Sequence, residues 1–184
     1  MRTPVGLVTV TLTVATLLAA SLLITTATRG QQPAFGSSAG ELEIRTVARG
    51  LVNPWALAFL PDGKMLVTER PGRMRIVTPE GQLLPPLKGV PEVWASGQGG
   101  LLDVITDGSF AQNRTIYFCF AERADGGGRT AIARARLDDG KDRLDDVKVI
   151  FRQQGPLSSG NHHGCRIAQA DDGNLFATMG DHYT

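Results

Sequence analysis

After its first forty residues the chain alternates short apolar runs with polar turns, and no apolar pattern of helical period 3.6 is sustained there. Runs rich in β-branched and aromatic residues, each bounded by Gly, Pro, Asp or Asn, predict strands over 43–48, 54–59, 65–69, 73–77, 101–106, 115–122, 131–137, 147–152, 163–170 and 175–179. The separators "PDG", "PEG", "DGGG" and "DDG" are turn sequences, because Gly supplies positive φ and Asp bonds its own backbone. The pattern therefore predicts an all-β domain of antiparallel hairpins.

Three hairpins, starting at Trp55, Leu101 and Gly164, share one plan: an apolar strand, a turn containing Asp-Gly or Asn, and a second apolar strand ending in a polar residue. Recurrence of one supersecondary unit is the mark of a β-propeller, while a β-sandwich would show similar turn spacing without it. Blades of about 40–50 residues in rings of at least four need more chain than residues 37–184 supply. About three blades fit, so a truncated copy of a longer ring is expected. Trp55 and Trp94 read as core or blade-interface residues.

The leader changes the picture of location. Arg2 precedes an apolar, Thr-rich run from Val5 to Ala27 that holds no acidic residue, as in an export signal or an uncleaved membrane anchor over 1–30. Residues 31–40, "QQPAFGSSAG", read as a linker, which leaves 41–184 as the domain. Lys and Arg number 19 against 18 Asp and Glu, a net charge of +1, so nothing favours nucleic acid, and the only membrane contact expected is through the leader. Cys119 and Cys165 are either a disulfide or two buried thiols.

Candidate chemistry gathers in "GNHHGCRI", residues 160–167, and "GQGG", residues 97–100. His162, His163, Cys165 and His182 are competent zinc ligands, but side chains alternate along a strand. That sends His162 and Arg166 to one face and His163 and Cys165 to the other, with His182 expected across the "DDG" turn from His162 to within two residues of register, so no metal site is assigned. Gln98 amid glycines is either a turn residue or an amide offered to a flat ligand.

In order, "NPWALAFLPDGKMLVTERPGRMRIV", "GQGGLLDV", "NRTIYFCFAE", "TAIARARL" and "GNHHGCRI…DDGNLFATMGD" resemble the N-terminal half of the soluble aldose sugar dehydrogenases, relatives of soluble glucose dehydrogenase. The resemblance implies a six-bladed propeller exported to the periplasm and a pyrroloquinoline quinone (PQQ) cofactor with calcium. It also implies oxidation of the C1 hydroxyl of aldose sugars to lactones and a periplasmic electron acceptor. It makes His162, four residues before Arg166, the catalytic base, and Gln98 and Arg166 cofactor-binding residues. The family's calcium ligands are expected beyond residue 184, and the chain as given is expected to be inactive alone. His163 stands where the family usually carries an aromatic residue, and Cys165 where it carries Ser or Gly. A non-catalytic exported binding or scaffold propeller is the competing reading, because one fold hosts many functions.

Overall fold

The structure is a computed structural model and describes residues 34–140, 142–155 and 158–183. The leader expected over 1–30 lies outside them. Among the described residues no helix is long and apolar enough to cross a membrane. The chain divides into two compact units, residues 1–44 and 45–184.

In the first unit, β1 (Ala34–Ser37) and β2 (Gly40–Glu43) form an antiparallel hairpin whose turn is tied by Ser37 Oγ donating to the Gly40 carbonyl at 2.8 Å. This hairpin occupies most of the stretch that reads as a linker. The strand expected over 43–48 does not form, because Glu43 is already the end of β2 and residues 44–50 follow an irregular path.

The second unit holds three antiparallel sheets built in chain order. The first is β3 (Pro54–Phe59), β4 (Met65–Glu69) and β5 (Arg73–Val77). The second is β6 (Leu101–Thr106), a single helical turn α1 (Phe110–Asn113), β7 (Thr115–Ala124), β8 (Gly127–Arg136) and β9 (Asp145–Arg152). The third is β10 (Gly164–Gln169) and β11 (Leu175–Met179). Strands β3 to β6 and β11 fall on the expected bounds, since each is a short apolar run closed by Pro, Gly or Asp.

The sheets pack face to face, and period-two alternation explains how. In β7, Ile116, Phe118 and Phe120 turn to one side and join Leu66, Met74 and Ala58 of the first sheet. Tyr117 and Cys119 turn to the other and meet Cys165 and Ile167 of β10. A strand buried on both faces reads as a near-continuous apolar run, which "TIYFCF" is. The stacked meanders are consecutive blades of a β-propeller, with three, four and two strands. Trp55 is 45% exposed and so not a core residue; it lies with Leu57 and Phe59 on the face of β3 turned away from the second sheet, while Ala56 and Ala58 face inward.

Candidate functional site

Two loops carry the candidate residues, and they are zipped together. One precedes β6 and holds Gln98; the other precedes β10 and holds His162. The backbone N–H groups of Gln98 and Gly99 both donate to the Gly160 carbonyl, at 2.8 and 3.2 Å. Gly97 permits this approach: its φ is +56°, and a Cβ there would stand 2.6 Å from the Gly160 oxygen. From the first sheet, the Arg70 guanidinium donates to the carbonyls of Gly97 (2.8 Å) and Gly99 (3.1 Å), so a fixed cation braces the loop.

Gln98 meets His162 directly. Its side-chain Oε1 accepts the backbone N–H of His162 at 3.0 Å, which leaves the amide NH2 of an exposed side chain free to donate outward. The His162 ring has its Nδ1 2.9 Å from Oδ1 of Asp181, just beyond β11. A carboxylate there makes Nδ1 the protonated nitrogen and leaves the Nε2 lone pair available. The Tyr183 ring lies over His162 with centroids 3.6 Å apart, and its N–H donates to Asp181 Oδ1 at 3.1 Å. That N–H and the imidazole hold the Asp181 carboxyl below the usual carboxylate range. The approach of the two segments depends on Gly180, where a Cβ would come within 1.7 Å of the His162 carbonyl oxygen.

Behind this exposed pair sits a buried one. His163 and His182 are 1% and 0% exposed, and their rings meet edge to face at 4.4 Å. His182 Nε2 lies 3.1 Å from Gln153 Oε1, while His182 Nδ1 and both nitrogens of His163 have no partner. Burial first, and the neighbouring His182 second, pull the His163 pKa down to about 4. The stretch around His182 does come across from His162, and Asp181, one residue before it, is the residue that makes the contact. The bulge between Gly164 and Arg166 shifts the β10–β11 register, and His182 adopts φ +54°. Among the described residues no three of His, Cys, Asp or Glu converge as metal ligands.

Arg166 points from the exposed side of β10, as alternation requires, with its side chain 76% exposed. Its Nη1 lies 3.2 Å from Oδ1 of buried Asp103, whose Oδ2 accepts the Ile167 N–H at 2.7 Å. It is thus a strand-end ion pair whose remaining donors face solvent. Sequence reasoning missed Asp181, Arg70 and Tyr183; the "GD" that ends β11 was the one signal pointing to Asp181. A cavity of about 440 Å³ lined by Leu60, Leu87, Phe110 and Leu137 lies at the opposite end of β6 from Gln98 and takes no part in this site.

Residues 51–184 match the family described as Glucose / Sorbosone dehydrogenase. The chain is 46% identical over 133 residues to Aldose sugar dehydrogenase YliI of Escherichia coli K12, covering 71% of this chain and 36% of that protein. The crystal structure of soluble aldose sugar dehydrogenase from E. coli in its apo form superposes with a TM-score of 0.67 at 45% identity, over 72% of this chain and 39% of that one. The PQQ-bound aldose sugar dehydrogenase of Streptomyces coelicolor superposes at 0.64 with 34% identity, over 75% and 41%. The chain spans well under half the length of each.

Proposed function

Because the chain belongs to the Glucose / Sorbosone dehydrogenase family, we propose that it supplies the base-bearing part of a PQQ-dependent oxidoreductase that converts the C1 hydroxyl of aldose sugars to the lactone. The observation that carries this reading is His162 held between Asp181 and Gln98, with Nε2 unengaged.

The donors fit an anionic quinone: the outward amide NH2 of Gln98 matches a quinone oxygen, and the exposed guanidinium of Arg166 matches a carboxylate. PQQ, when bound, supplies a two-electron acceptor for the hydride leaving sugar C1. His162 Nε2 takes the hydroxyl proton, and Asp181 stabilises the imidazolium so formed. Gln98 does two jobs at once: Oε1 holds the His162 backbone, while its NH2 stabilises negative charge arriving opposite. Asp103 aims Arg166 outward.

Export through the leader, a periplasmic electron acceptor and calcium ligands beyond residue 184 complete the proposal. Two proteins test it. In a chimera, residues 51–184 replace the matching part of the E. coli enzyme; PQQ-dependent aldose oxidation that His162→Gln removes is expected. Residues 37–184 alone, with PQQ, calcium and glucose, should show no turnover. A folded chimera that binds sugar without oxidising it would mean a binding propeller instead.

A further inference from the structure

We propose that Cys119 and Cys165 are the two halves of a disulfide that ties the second blade to the third, a modification that does not depend on the function proposed above. Both side chains are thiols in the structure, 0% and 8% exposed. They sit in one apolar cluster with Leu102, Ile132 and Ile167, one on β7 and the other on β10. Burial first, and the neighbouring Cys165 second, raise the Cys119 thiol well above its ordinary pKa.

Placement gives the bond a purpose. The second and third sheets share no strand ladder. Polar ties between them run from Asp103 to Arg166 and Ile167 and from Thr130 Oγ1 to the His163 carbonyl. A covalent bond from residue 119 to residue 165 closes a loop containing β8, β9 and the segment that carries His162. It also fixes the start of β10, three residues after that histidine.

The bond forms by exchange with a disulfide-bearing oxidant, such as oxidised glutathione or a dithiol–disulfide oxidoreductase. One thiolate attacks the oxidant's disulfide and the second displaces the mixed disulfide. The oxidant leaves as two thiols carrying both electrons and both protons. Burial of both sulfurs, and the raised pKa of Cys119, slow exchange once the sheets have packed, so it belongs to the folding chain.

The test refolds the reduced 184-residue chain in a glutathione redox buffer, blocks free thiols with N-ethylmaleimide and measures intact mass and tryptic peptides. The expected product is monomeric, two hydrogens lighter, free of adducts, and joins TIYFCFAER to QQGPLSSGNHHGCR. Reductant should lower its melting temperature by about 5–15 °C and leave the melting temperature of a Cys119→Ala/Cys165→Ala variant unchanged. Two alkylated cysteines, a glutathione adduct, a bond between chains, or an equal reductant effect on the variant each overturn the proposal.

Discussion

His163 packs edge to face on His182 at 4.4 Å, in direct continuation of the contact between His162 and Asp181. Two consecutive residues before β10 thus meet two consecutive residues after β11, one couple facing solvent and the other sealed beneath it.

This burial links stability to pH. The His163 pKa is about 4 in the folded chain against 6.5 unfolded, so the unfolded chain binds the proton first as pH falls. Above pH 6.5 the cost is absent; it grows below that value and levels off near pH 4. Denaturant titrations at pH 7.5 and pH 5 should differ by about 2 kcal/mol from this group alone. His182 and, across the Trp94 ring, Arg123 are the groups that face it. In His163→Phe that share of the difference should vanish; an unchanged pH slope would show that His163 does not carry it.

For catalysis, His162→Gln in the chimera should lower kcat by about 10²–10⁴-fold. Asp181→Asn should lower it less, because the ring keeps its base but loses the charge that stabilises the imidazolium. His163→Phe, which leaves the outer couple in place, should cost far less than either. Equal losses for His162→Gln and His163→Phe would mean that the wrong histidine has been assigned.

Gln98 separates two effects. Gln98→Glu keeps an oxygen for the His162 N–H but removes the outward NH2 and adds a negative charge where charge develops. Its turnover at saturating PQQ should fall below that of Gln98→Ala, and both should lose more in rate than in PQQ affinity. Wild-type turnover in Gln98→Ala at saturation would reduce Gln98 to a turn residue.

Gly180→Ala tests the close approach of the two segments. The new methyl would press on the His162 carbonyl, and relief by backbone shift should cost about 1–3 kcal/mol. Thermal melting reads that loss, and a larger proportional fall in kcat than in stability is expected because Asp181 moves off His162.

Asp103→Leu should weaken the second blade's hold on the third. It leaves the Ile167 N–H without an acceptor, at about 1–3 kcal/mol, while the exposed Arg166 end contributes little. A melting temperature equal to wild type would show that the pin is idle.

The sequence by itself determined the all-β class and most of the strands. Apolar alternation between Gly, Pro and Asp turns is a local property, and β3 to β6 and β11 form where that pattern places them. Alternation also predicted that His163 and Cys165 share one face and His162 and Arg166 the other; the structure shows the first of these faces to be the buried one. Only the tertiary structure decided who meets whom. A bulge and left-handed residues settled which residue of the stretch around His182 meets His162, namely Asp181, and neither leaves a periodic signal. The bond from Gln98 to His162 spans 64 residues, and the cluster that holds Cys119 and Cys165 joins strands of different sheets. Such contacts depend on how blades stack, and stacking is set by the summed burial of both faces of β7, not by the residues on either side of each partner.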